Sequence, residues 1–99
     1  MARHDVYPNP DGPGYLLDVQ ADLLDGLNTR IVVPLFPETN APQPAARLNP
    51  VFQIEGRRVV MTTQFLAAVP AAILKTPVTN LSNHFAQITD ALDMAFHGF

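Results

Sequence analysis

The segment Tyr15-Leu16-Leu17-Asp18-Val19-Gln20, followed after a short loop by Arg30-Ile31-Val32-Val33-Pro34-Leu35-Phe36, decides the fold. The first segment alternates, with Leu17 and Val19 on one face, as a strand covering a core does. The second is β-branched and continuous, the pattern of a strand buried on both faces. Pro34 has no N–H, so it predicts an edge position or a bulge at that point. Toward the N-terminus, Val6-Tyr7 reads as a short strand. Pro8, Pro10 and Pro13 with Gly12 and Gly14 make Asn9 to Gly14 a turn region, because proline fixes φ and glycine supplies positive φ. Val6-Tyr7 and Tyr15 to Gln20 then pair as a hairpin.

Toward the C-terminus, Pro37 to Arg47 carries three prolines among small polar residues and predicts an irregular, exposed loop. Pro50-Val51-Phe52-Gln53-Ile54 and Arg57-Arg58-Val59-Val60-Met61-Thr62-Thr63 form a second hairpin across Glu55-Gly56, with the turn type open. Gln64 to Val78 fits a helical turn, a strand or both in succession, and Pro70 and Pro77 limit any helix. Beyond it, Asn80-Leu81-Ser82-Asn83 offers capping side chains. Phe85, Ile88, Leu92 and Ala95 follow at spacings of three and four, widened by Ala91 and Phe96. This predicts a helix of about four turns, ended by Gly98 in the position after its last residue.

Composition narrows the function classes. The chain has 99 residues, a single domain's length, with 47% hydrophobic and 15% charged residues, too apolar for disorder. So low a charged fraction predicts apolar surface covered by another chain. Six basic against nine acidic residues give no footprint for nucleic acid. No apolar run approaches a membrane span, and Met1-Ala2-Arg3-His4-Asp5 is polar where a signal peptide would be apolar. The absence of cysteine removes disulfides and thiolate metal sites and fits a reducing compartment. These features predict a cytoplasmic protein.

Chemistry-bearing motifs are sparse. His4, His84 and His97 share no metal-ligand spacing, and no Gly-rich phosphate loop is present, so no metal or cofactor is expected. Ser82 reads as a helix cap rather than a nucleophile. Asp18, Asp22, Asp25, Arg30, Arg57 and Arg58 offer an acid–base set for RNA cleavage only if the fold gathers them; otherwise they are solvated loop and strand residues. Two features point to a partner instead. Leu23-Leu24 lies in a loop between Asp22 and Asp25, either turned into the core or exposed for contact. His97-Gly98-Phe99 ends in an aromatic, which predicts packing or contact with a partner.

The run Leu17-Asp18-Val19-Gln20-Ala21-Asp22-Leu23-Leu24-Asp25, then Arg30-Ile31-Val32-Val33-Pro34-Leu35, resembles the CcdB family of bacterial toxins. Pro50-Val51, Met61-Thr62-Thr63, Val69-Pro70, Leu81-Ser82 and the closing Ile88, Ala91, Leu92, Phe96 and Gly98 keep the same order. The resemblance covers nearly the whole chain and implies one domain over 1–99. It implies a mainly β fold, an antiparallel SH3-like barrel or curled sheet with a small accessory sheet and a C-terminal α-helix. It further implies a homodimer with the C-terminal helices near the two-fold axis, placing Ala95, Phe96 and Phe99 at the dimer interface.

By the same resemblance the partners are the DNA gyrase A subunit, trapped on cleaved DNA, and a CcdA-like antitoxin, in a system of plasmid maintenance. No catalysis, direct nucleic-acid binding or membrane is implied. The gyrase contacts fall on Leu23, Leu24, Asp93, His97, Gly98 and Phe99. Where the family ends Trp-Gly-Ile, its tryptophan stacking on a gyrase arginine, this chain has His97-Gly98-Phe99; Asp93 stands where the family has asparagine. The alternative is therefore a protein of the same fold that binds antitoxin but has lost gyrase poisoning or acts on another target.

Overall fold

In the computed structural model, which describes residues 1–98, strand β3 (Thr29–Pro37) is the spine of the sheet. On one side it pairs antiparallel with β2 (Tyr15–Asp18), Leu17 opposite Val33. On the other side it changes partner along its length. Residues 29–32 face β6 (Ala67–Pro70), and residues 35–37 face β5 (Arg57–Met61). Pro34 sits at that change. It lies in a strand flanked on both sides rather than at an edge, and its missing donor falls in the gap between β6 and β5. Its carbonyl is used, accepting the Thr62 N–H at 3.0 Å and the Thr62 hydroxyl at 2.7 Å.

The path across the sheet continues from β2 to β1 (Asp5–Pro8) and β7 (Thr79–Asn80), and at the other end from β5 to β4 (Val51–Ile54). The result is a nearly closed antiparallel barrel with one C-terminal helix. The accessory strand β6 joins the main sheet through β3. In the β4–β5 hairpin, Glu55 and Gly56 both take positive φ, 54° and 79°, the geometry of a type I′ turn. This settles the turn type that Glu-Gly left open.

Both faces of β2 are buried, where one had been expected. Tyr15, Leu17 and Val19 join Val6, Val33, Leu35, Phe52, Ile54, Val59, Met61, Leu81, Ile88 and Ala91 in the main core. Leu16 faces the other way, packing with Tyr7, Val32 and Leu74. Gln64 to Val78, ambiguous by pattern, supplies a 3-10 turn (Thr63–Phe65), β6, and a second 3-10 turn (Ala71–Ile73) that covers this smaller core.

The helix α1 (Phe85–His97) buries Ile88 and Ala91. Ser82 does not cap it with its side chain: a 3-10 turn (Ser82–His84) leads in, and Asn80 Oδ1 accepts the Ser82 N–H at 2.8 Å. Gly98 ends the helix as expected, at φ 76° with its N–H on the Met94 carbonyl. The loop after β3 is exposed, and Arg47 crosses from it to form a bidentate pair with Asp90 on α1 (2.9 and 2.6 Å).

Gly14 is the glycine that the fold cannot replace. Its φ is +90°, and a Cβ there would stand 2.2 Å from the Leu35 carbonyl oxygen. Gly14→Ala is expected to cost about 2–4 kcal/mol, from backbone strain and overpacking, as a lowered urea midpoint with unchanged slope. Gly12→Ala, with open space around it, is the control.

Candidate partner-binding site

The loop after β2 forms a 3-10 turn, Asp22–Leu24, that points its leucines outward. Leu23 is 92% exposed and Leu24 44%, so neither is a core residue. Leu27 is exposed beside them and extends the apolar patch. The turn is fastened to the N-terminal segment, where Asp22 Oδ1 accepts the Arg3 N–H at 2.8 Å. The Arg3 guanidinium lies 5.5 Å from the Phe85 ring centroid, and the His4 ring meets Phe85 edge-on at 5.8 Å. Sequence reading missed this cluster: His4 counted as one of three unrelated histidines, surface or partly buried, whereas it is 2% exposed and packed on Phe85.

His4 is buried because its backbone bonds to two segments distant from it in sequence. Its N–H donates to the Asp18 carbonyl at 2.7 Å and its carbonyl accepts the Leu81 N–H at 2.9 Å, with φ at 73°. Burial, and then the neighbouring Arg3 charge, push its pKa below 6.5, while Asp22 acts the other way. Its Nε2 has no hydrogen-bond partner among the described residues. The unfolded chain thus takes up this proton at a higher pH than the folded one. The contribution is complete above pH 6.5 and is lost as pH falls from there through the lowered folded value. Denaturant midpoints are expected to fall from about pH 7.5 to 5.5, and His4→Asn, which tolerates the positive φ, should flatten that slope.

The second half of the expected site lies at the far end of α1. The contacts holding Asp22–Leu24 lead to Phe85, and the helix runs on for about 18 Å before reaching His97. Leu23 and Leu24 are therefore anchored at one end of the helix and His97 and Gly98 stand at the other. Asp93 and His97 are exposed on α1, and Phe99 lies outside the described residues. Ala95 and the 65%-exposed Phe96 are also outward. With Met94, Leu48, Thr63, Gln64 and Leu66 they line an apolar cleft of about 480 Å³ between the end of α1, the Thr63–Phe65 turn and Leu48 of the long loop.

The six-residue acid–base set is not gathered. Asp18 and Arg30 were expected to be solvated or catalytic, but both are fully buried and spent on each other, Arg30 Nη2 to Asp18 Oδ2 at 2.6 Å and Nε at 2.8 Å. Burial nevertheless holds the Asp18 carboxyl above its ordinary pKa. The Tyr7 phenol is pushed up to about 12 by burial and the nearby Asp5 and Asp18. Arg58, on β5, pairs with Glu38 just past the end of β3, with β2 and β3 between it and β1. Asp22 is engaged by Arg3. Among the described residues no three His, Asp or Glu side chains gather as metal ligands, and no helix is long and apolar enough to cross a membrane.

A nearly closed antiparallel barrel bearing an outward apolar turn and a C-terminal helix defines the structural class. The chain belongs to the CcdB family, whose profile, described as CcdB protein, matches residues 3–98. A solved structure described as an endoribonuclease in complex with its cognate antitoxin, from a mycobacterial species, is similar in fold. It superposes with a TM-score of 0.74 over 97% of this chain and 94% of that chain, at 14% identity.

Proposed function

We propose that this chain is the toxin of a type II toxin–antitoxin pair, acting as a homodimer that binds the DNA gyrase A subunit and traps the enzyme on cleaved DNA. The observation that carries this reading is family membership over residues 3–98 together with the outward Leu23 and Leu24. The dimer reading is supported by the exposed Ala95 and Phe96 beside an apolar cleft, a surface of the kind that a second protomer covers. An antitoxin partner is supported by the family and by the antitoxin-bound neighbour. The toxin works by binding, without catalysis of its own, in the cytoplasm where gyrase is.

The second reading, antitoxin binding without gyrase poisoning, is favoured by one observation: His97 occupies the place of the family's tryptophan. A tryptophan–arginine contact contributes about 0.5–2 kcal/mol, and a dimer makes two. Induced expression in a gyrase-sensitive host and calorimetric titration against a gyrase A fragment separate the readings. Growth arrest with DNA damage, and heat of binding at micromolar protein, support gyrase poisoning; unaltered growth and no heat support the alternative. Under the first reading His97→Trp is expected to tighten binding by roughly ten- to a hundredfold.

A further inference from the structure

One buried side chain reaches from the sheet to the apolar turn. Gln20 follows the end of β2 and is 3% exposed. There the ladder between β2 and β3 is interrupted: Val19 N–H donates to the Ile31 carbonyl at 3.0 Å, but Ile31 N–H donates to Gln20 Oε1 at 3.1 Å. The other end of the same amide, Nε2, donates to the Leu24 carbonyl at 2.9 Å. One amide thus joins the spine of the sheet to the turn. Its own N–H rests on Asp18 Oδ1 at 3.0 Å, and Asp18 is fixed by Arg30.

We infer that Gln20 is a positioning residue for partner binding, holding the Asp22–Leu24 turn so that Leu23 and Leu24 face outward. This role rests on the functional reading above, because Gln20 would touch no partner. The chemistry demands glutamine in particular. The site needs an acceptor on one side and a donor on the other, at this reach from the backbone. Glutamate of the same length offers two acceptors and sets an oxygen against the Leu24 carbonyl. Methionine fills the volume and offers neither.

The test is amide hydrogen exchange on the full chain, read beside binding. In Gln20→Glu the Leu24, Asp25 and Leu27 amides, all bonded within the turn, should exchange about tenfold faster while Ile31 keeps its protection. In Gln20→Met, Ile31 should lose protection as well. Val33 and Leu35 in the sheet should hold in both variants. Unchanged turn amides overturn the proposal, and so does an equal rise at every amide, which would mark general destabilisation.

Binding to a gyrase A fragment supplies the second arm. Gln20→Met should weaken it about tenfold in the wild-type background. It should have no further effect once Leu23→Ser and Leu24→Ser are present, since it acts through those leucines. An equal loss in both backgrounds overturns the proposal. A wild-type chain that fails to bind the fragment removes the gyrase reading, while the exchange pattern still decides what Gln20 does.

Discussion

Arg30→Met is expected to lower stability by about 3–5 kcal/mol, a large part of the roughly 5–15 kcal/mol available to a domain of this size. The reason is the partner left behind. Asp18 and Arg30 have no exposed side-chain surface, so the deletion strands a carboxylate in the interior. Burial already raises the Asp18 pKa with Arg30 in place, and loss of the guanidinium must raise it further. A raised folded pKa favours the protonated, folded form. The variant's deficit should therefore be smaller at low pH and grow as pH rises through the folded value. Urea unfolding at about pH 5 and 8 checks both statements. The combined Asp18→Leu, Arg30→Met variant should recover most of the loss, short of what the Gln20 amide forfeits with its acceptor. A midpoint for Arg30→Met within about 1 kcal/mol of wild type would contradict the account.

The second large effect concerns function and should leave stability alone. Leu23→Arg changes a side chain that is 92% exposed, so its folding free energy should stay within about 0.5 kcal/mol of wild type. If the outward turn contacts gyrase, a buried apolar anchor is replaced by a charge. A cost of about 2–4 kcal/mol in binding corresponds to roughly thirty- to a thousandfold. Induced cells carrying the variant should grow normally while folded protein accumulates. Arrest as severe as with the wild-type chain would exclude Leu23 from the toxic surface. Titration with the antitoxin shows whether the same leucine serves both partners.

The sheet was legible in the sequence where pattern and burial coincide. The continuous Ile31-Val32-Val33-Pro34-Leu35-Phe36 run gave β3, the Glu55-Gly56 turn gave the β4–β5 hairpin, and the spacing from Phe85 to Phe96 gave α1. The 3-10 turns between Thr63 and Ile73 were not, because three-residue elements are too short to carry a period. Pro34 misled for a different reason: a lone strand cannot reveal that its neighbour changes midway. The site was legible only in part. Leu23 and Leu24 stood out by composition, yet the turn that carries them is bonded to Gln20 and Arg3, contacts that no local pattern shows. His4 was overlooked because its burial arises from bonds to Asp18 and Leu81, neither of them near it in sequence. Asp18 and Arg30 looked like surface charges for the same reason.

The closure of the barrel has a consequence for synthesis. Strand β1, at the start of the chain, finds its outer partner in β7, and Asn80 Nδ2 donates to the Arg3 carbonyl and to Asp5 Oδ1. Contacts of such sequence separation form late and slowly. A nascent chain on the ribosome can pair β1 with β2 early but cannot cover the outer edge of β1 until residue 80 has emerged. The turn bearing Leu23 and Leu24 can be bonded early to Gln20 and to the Arg3 N–H, whereas the Arg3 side chain meets the Phe85 ring only after that residue is made. The outer edge of β1 is thus the last side of the sheet to be covered, and until β7 arrives it stays an open strand edge to which another extended segment could add.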